Sequence, residues 1–598
     1  MPGRTPHPNL LLGGPGRRGH SSLRQAALNA YGGGGWGAEG RSEPFEGSRV
    51  NSMQAETTSG RRATRSRRAG VLIPLFSLRT RTGWGVGEIP DLARLGAWAR
   101  EAELAVVQLL PVNEVRGGET SPYSASTAFA IDPVYLGLDE CEDFVEAGGR
   151  AALSPADGRL LDEVAACPTV DWRRVRPLKA RASRRAFRRF LDEEWDQRSA
   201  RALELRRFRE EHDWLAEHGL YCVLHDRLSK HWQEWPAELR DRVPAALSRV
   251  IEESCDELLY HCWLQWQLDI QWRKARSQAQ ALGVDFMGDL PFVVSGDSSD
   301  VWSNRGLFRL DMRVGAPPDP FSPTGQDWGL PLYDWRAMEH TGFRWMRNRA
   351  SRAGEMFGLF RVDHVIGMYR TYYRSADGRK SGFSPSDEDA QIRLGETLLS
   401  IIGGFGQVVA EDLGALPEFL RPSLARLGLP GYRVLRWEKT DVWRDGRKET
   451  LLHAPAAWPV ISVATSGTHD TETQAEWWDA ISFDERRLFT SLPGLHGIDP
   501  QQHFDDQVRD ALLRVLYAAP SELCLLPFQA LLGTRERVNV PGTVNDSNWT
   551  FRMPVDVDAL RADRATTARL AKLAVESNRQ VGGDRVGSRK RRTVAARR

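Results

Sequence analysis

The feature that most constrains this chain is a set of eight short apolar runs separated by long helix-forming stretches. They cover residues 71–76, 105–112, 284–290, 359–363, 407–410, 432–437, 461–465 and 523–527, and several end at or just before an acidic residue. Each has the length of a strand and is mostly apolar at both parities, as expected of parallel strands covered on both faces. Eight such strands alternating with helices predict an α/β fold, a (β/α)8 TIM barrel whose strand ends converge on one rim. A doubly wound open sheet is the alternative. It has one crevice at a topological switch, whereas polar ends recur here on many strands.

The spacing between runs divides the chain. Residues 141–282 are expected to form a large, mostly helical insertion within a barrel spanning 71–560, with smaller rim-loop subdomains elsewhere. In that insertion Leu258, Cys262, Gln265 and Leu268 share one helical face, which makes Cys262 a core residue. Residues 1–70 carry 14 of the 54 glycines and no apolar period, so they are expected to be a disordered extension, with Met53 an alternative start. Residues 561–598 read as the end of the last helix and a basic tail.

Charge sharpens this division. The net charge of +2 hides +7 in residues 1–70 and +6 in residues 581–598, which leaves −11 on the body. An acidic body argues against specific nucleic-acid binding. Six cysteines without a C-x-x-C pair argue against a disulfide framework or a thiolate zinc cage and fit a reducing, cytoplasmic setting. Nor is any run apolar for long enough to span a membrane.

Four acids, Asp289, Asp363, Glu411 and Asp470, fall at or just past apolar runs. Any one of them could simply cap a helix. Together on one rim they form a site, because grouping carboxylates costs several kcal/mol unless hydrogen bonds, cations or shared protons offset it. Arg361 and Asp363 stand at i, i+2 and so share a strand face, where the guanidinium keeps the carboxylate ionised, as a nucleophile requires. Glu411 is a candidate proton donor. Two carboxyls about 5–5.5 Å apart transfer a glycosyl group with retention, and about 6.5–9.5 Å with inversion. Sequence supplies the pair without the separation. His364 and His469 raise the alternative of a metal site, but no compact ligand spacing accompanies them, and binding the substrate's sugar hydroxyls suits them better. Twenty-one tryptophans, among them Trp302 and Trp328 in loops after Asp289, suit the mixed faces of sugars.

The loops that carry these acids resemble the 4-α-glucanotransferase family, the amylomaltases or disproportionating enzymes of glycoside hydrolase family 77. The resemblance rests on SPYSASTAFAIDP, GDLPFVVSGDSSDVW, PPDPFSPTGQDWGLPLYDW, FRVDHVIG, VVAEDLG, SGTHDTET and RERVNVPGTVNDSNWTFRM, in that order. It implies that Asp363 is the nucleophile, Glu411 the general acid and then base, and Asp470 the transition-state stabiliser with His469 beside it. Arg361 would orient Asp363, and Tyr123 and Asp289 would line the donor site. It further implies an α-1,4-glucan donor, a glucose or maltooligosaccharide acceptor, and neither an organic cofactor nor an essential metal. A hydrolase using the same carboxylates and a non-catalytic glucan-binding protein are the alternatives.

Four positions depart from the family pattern. Val365 and Ile366 replace a Phe-Arg pair after the nucleophile motif, Pro320 replaces a tyrosine before Phe321, and Leu330 stands where an amide is common. The loop 315–334 is expected to act as a lid or acceptor wall.

Overall fold

The computed structural model describes residues 66–318, 325–444 and 447–582. Eight parallel strands close into a barrel: β1 Arg68–Leu72, β2 Val106–Gln108, β3 Asp285–Leu290, β4 Leu359–Val362, β5 Gln407–Ala410, β6 Gly431–Val434, β7 Ser462–Thr465 and β8 Leu523–Pro527. Every strand neighbours its predecessor, and β1 pairs with both β2 and β8, so the sheet has no edge.

Period-two alternation sorts the strand residues. Val106, Met287, Leu359, Val409, Tyr432, Val463, Leu523 and Leu525 pack together as one cluster inside the barrel. Their neighbours Val107, Phe286, Phe360, Val408, Ala464 and Cys524 join a second cluster with the surrounding helices. Two residues beyond the inner plug, on the same parity, stand Gln108, Asp289, Arg361 and Glu411. The polar layer thus follows directly from the apolar one, one pleat higher towards the C-terminal rim. Gly70 keeps β1 close to its neighbours, since a Cβ there would lie 2.5 Å from the Val106 carbonyl oxygen.

Strand bounds differ from the sequence expectation at three places. β1 lies three residues earlier, because Pro74 cannot donate to the ladder and Leu75–Ser77 turns into a short 3-10 helix. Residues 68–70 are therefore barrel rather than extension. β2 stops at Gln108, before Pro111, and β6 stops at Val434. The expected extension before residue 66, with Met53, and the tail 583–598 lie outside the described residues.

Between β2 and β3 the chain runs through helices from Glu142 to Ala281, the longest being Cys255–Ala281. Two buried glutamines of this helix anchor the loop that follows β2. Gln265 exchanges two hydrogen bonds with the Ile131 backbone (2.9 and 2.8 Å), and Gln271 does the same with Gly137 (2.9 and 2.8 Å). A four-stranded antiparallel sheet, ordered Gln326–Tyr333, Phe308–Ala316, Thr371–Ser375 and Ser381–Ser384, stands over the rim beside β3 and β4. A two-stranded hairpin, Lys439–Arg444 with Arg447–Leu452, follows β6.

Candidate active site

Register brings the acids together. Asp289 on β3 is level with Arg361 on β4, and Val362 on β4 is level with Ala410 on β5. Asp363 and Glu411 each follow by one residue and stand side by side. Their backbones continue the ladder: the Asp363 N–H donates to Leu290 O (3.0 Å) and the Glu411 N–H to Val362 O (3.1 Å).

Arg361 is the hub. Its Nη1 donates to both oxygens of Asp289 (2.7 and 2.8 Å) and lies 2.8 Å from Asp363 Oδ1, while Nη2 is 3.9 Å from Glu411 Oε2. Burial alone would weaken its hold on the proton, but Asp289 and Asp363 carry its pKa well above the ordinary value. Three carboxylates around one guanidinium leave a surplus of negative charge. Burial, reinforced by Asp363, pushes Glu411 up to about 8 despite Arg361. Burial raises Asp289 as well, and the Tyr123 hydroxyl donates to its Oδ2 at 2.7 Å. The backbone N–H of His364 donates to Glu411 Oε2 at 2.7 Å, which leaves Oε1 as the oxygen to carry a proton. His364 reaches that position with a left-handed φ of 44°.

The fourth acid enters from β7. Asp470, two-fifths exposed, accepts a hydrogen bond from Asn539 Nδ2 on Oδ1 (2.7 Å) and lies 3.3 Å from His469 Nε2 through Oδ2. Arg537 donates to its backbone oxygen at 3.2 Å. His469 is buried and stacks on Tyr123, with ring centres 5.3 Å apart and planes at 12°, and Trp549 packs against both rings. Tyr123 thus joins the Asp289 and Asp470 sides of the cleft. Trp328, on the accessory sheet, meets Phe292 and the His364 ring edge-on at 6.0 and 5.4 Å. Gly367 permits this packing, because a Cβ there would meet the Phe292 ring at 2.3 Å.

Asp363, Glu411, Asp470, Arg361, Asp289, Tyr123, His469, His364 and Trp328 therefore cluster at the rim. Trp302 does not. It is fully buried against Tyr221 and Trp235, carries Arg242 over its ring at 4.2 Å, and donates to Leu239 O. It holds the insertion to the loop after β3, and a sugar has no access to it. Among the described residues neither His364 nor His469 joins other ligand side chains in a metal-sized group. Val365 and Ile366 start the short helix Ile366–Tyr369 with buried side chains, so they present neither charge nor ring to the cleft. Pro320 and Phe321 lie outside the described residues. Sequence reasoning missed Arg537, Asn539, Phe292 and Trp549 as site residues. Three of them sit in the string RERVNVPGTVNDSNWTFRM, but neutral amides and an arginine in a loop give no periodic signal.

A family model described as 4-alpha-glucanotransferase matches residues 73–557. Curated relatives include a 4-alpha-glucanotransferase of Chlamydia pneumoniae, 28% identical over 82% of this chain and 92% of that protein. A second, from Aquifex aeolicus, is 30% identical over 82% and 96% respectively. Among solved structures, an amylomaltase from Streptococcus agalactiae in complex with acarbose aligns with a TM-score of 0.72 at 24% identity, covering 86% of this chain and all of that one. An amylomaltase from Corynebacterium glutamicum gives 0.67 at 21%, covering 86% and 75%.

Proposed function

The chain belongs to the 4-alpha-glucanotransferase family, and on that premise we propose how its own residues carry the transfer. The donor is an α-1,4-glucan. The observation that carries the reading is Arg361, which contacts Asp363 while Glu411, on the next strand, is pushed up to about 8. One carboxylate is ion-paired beside a neighbour that holds a proton, the division of labour that glycosyl transfer through a covalent intermediate requires.

In the first step Asp363 attacks the anomeric carbon. The C1–O bond breaks and the Glu411 proton passes to the leaving oxygen, releasing the reducing-end segment. In the second step the 4-OH of glucose or a maltooligosaccharide attacks C1. Its proton passes to Glu411, and the bond to Asp363 breaks. Asp470, oriented by Asn539 and Arg537, accepts hydrogen bonds from ring hydroxyls that strengthen as the ring flattens. Tyr123, Asp289 and the buried His469 form the floor, and Trp328 with the His364 ring forms a wall. The acidic body speaks against a specific nucleic-acid partner. No helix among the described residues is long and apolar enough to cross a membrane, and six free cysteines support a cytoplasmic setting.

Incubation with maltotriose followed by product sizing tests the reading. Disproportionation yields glucose together with maltopentaose and longer chains, whereas glucose without longer products would mean hydrolysis. Asp363→Asn should lower turnover by roughly 10⁴-fold or more, and near-normal turnover would remove the nucleophile assignment.

A further inference from the structure

The interior of the β2–β3 insertion holds a second group of reactive side chains that the transfer does not use. Glu114 lies in the loop after β2, and His218 and Cys222 stand one turn apart on the helix Trp214–Leu228. All three are buried, with their ligand atoms within 4.8 Å of one another. His218 Nε2 is 2.9 Å from Glu114 Oε2 and 3.5 Å from Cys222 Sγ. We propose that Glu114, His218 and Cys222 bind a divalent cation of the zinc class, at a site that turnover does not require.

The donor set selects the ion. One imidazole, one thiolate and one carboxylate suit zinc over magnesium or calcium, which take oxygen ligands. Tetrahedral zinc with bonds near 2.0–2.3 Å keeps its ligand atoms roughly 3.3–3.6 Å apart. The His218–Cys222 spacing already fits, and the Glu114–His218 contact must open by about 0.5 Å.

The contacts already present mark the place of the ion: His218 Nε2 stands between Glu114 Oε2 and Cys222 Sγ, at 2.9 and 3.5 Å. A divalent cation would take the His218 nitrogen as a neutral imidazole and Cys222 as the thiolate. Arg116 faces Cys222 as well as Glu114 with its charge. It pairs with Glu114 Oε1 and with Asp226, leaving Oε2 turned to His218. Asp300, another buried acid, faces His218 from beyond β3. His261, on the helix Cys255–Ala281, is buried with an unpartnered Nδ1, and burial, aided by Arg116, pushes it down to about 3. It lines a cavity of about 600 Å³ that also reaches Glu114 and Arg116. The Glu114 carbonyl accepts from Ser126 N and Oγ (2.8 and 3.0 Å), so the ion would tie the Tyr123 loop to the insertion.

The test uses the full chain, stripped with a chelator and titrated with Co²⁺ as the probe. The expected result is one equivalent bound, a thiolate-to-cobalt charge-transfer band, displacement by Zn²⁺, and proton release on binding. Cys222→Ser should abolish the band, and both it and His218→Gln should weaken Co²⁺ binding by at least about 100-fold. Cys167→Ser and Cys255→Ser, at the two partly exposed thiols, should leave it intact. Maltotriose disproportionation should proceed in the stripped enzyme. No band in the wild-type protein, a band that survives Cys222→Ser, or inactivity after stripping would overturn the proposal. Should Cys222→Ser not fold, His218→Gln and the wild-type spectrum decide.

Discussion

Arg361 at the rim and Arg116 in the loop after β2 are both guanidiniums that bridge carboxylates, yet their surroundings drive the acids in opposite directions. At the rim three carboxylates share one cation, and Glu411 is pushed up to about 8, mainly by burial. Against the insertion Arg116 contacts both Glu114 and Asp226, and the protonated His218 adds a second cation beside Glu114. There the cations overcome burial and hold Glu114 below the ordinary carboxylate range. Burial alone therefore does not decide which acid keeps its proton. The local count of opposite charges does, and the rim's deficit of cations supplies its proton donor.

Removing each guanidinium gives the largest contrast. Arg361→Met should lower kcat by roughly 10³-fold or more, since Asp363 loses the guanidinium that orients it and three neighbouring carboxylates lose their shared cation. Arg116→Met should instead unfold more easily, by about 3–5 kcal/mol, because Glu114 and Asp226 lose a buried partner. Its turnover per folded molecule should stay near normal. Denaturant titration and maltotriose kinetics read both, and a large catalytic loss in Arg116→Met would break the comparison.

The two clusters should also answer pH with opposite signs at their carboxylates. Glu411 has a raised pKa, so its stabilising contribution is full below about 4.5 and is lost as pH rises through about 8. The same proton serves catalysis, so kcat/KM should fall about tenfold per pH unit above 8. With a glycosyl fluoride donor, whose leaving group needs no proton, that alkaline fall in the first step should vanish. Glu114 has a depressed pKa. Its contribution is present above about 4.5 and is lost as pH falls through its lower folded value. The His218 contribution is full below about 6.5 and is lost as pH rises through about 10. The stability gap between wild type and His218→Gln should therefore be widest near pH 5–6 and shrink towards pH 10. A flat gap would sink the assignment of the charged pair.

Orientation is a smaller effect than charge. Asn539→Ala frees Asp470 Oδ1, but Asp470 is two-fifths exposed and water can take the amide's place. The loss should be near the lower end for a hydrogen bond to a charged group, about tenfold in kcat/KM. An unchanged value would place Asp470 under the control of His469 alone.

What was legible in the chain follows the same division. The apolar parity of Leu359, Arg361 and Asp363, and of Val409 and Glu411, sets both the barrel and the direction of its acids. Backbone register then makes neighbours of residues far apart in sequence. The accessory sheet of residues 308–384 and the hairpin after β6 were not legible, because their strands are largely exposed: RLDMR alternates over only five residues and leaves even Leu310 exposed, and KTDVWR carries charges at both parities. Asn539 was missed for a related reason: an amide that orients a carboxylate across the rim leaves no local pattern. The high tryptophan content pointed to sugars more strongly than the fold warrants, since Trp84, Trp98, Trp232, Trp263, Trp272 and Trp478 are buried in packing.

Trp302 turns that last point into the smallest expected effect on catalysis. Both Trp302 and Trp328 follow Asp289, but Trp302 is sealed beneath Arg242 while Trp328 stands at the rim against His364. Trp302→Phe deletes the hydrogen bond to Leu239 O and part of a packed ring, which should cost about 1–3 kcal/mol of stability. Maltotriose kcat and KM should stay within about twofold. Trp328→Ala should reverse the pattern, with a raised KM and little loss of stability, because a half-exposed ring contributes less to the core than to a wall that a glucan touches. A raised KM in Trp302→Phe, with the fold intact by near-UV circular dichroism, would return Trp302 to the site and show that the insertion shapes the sugar cleft directly.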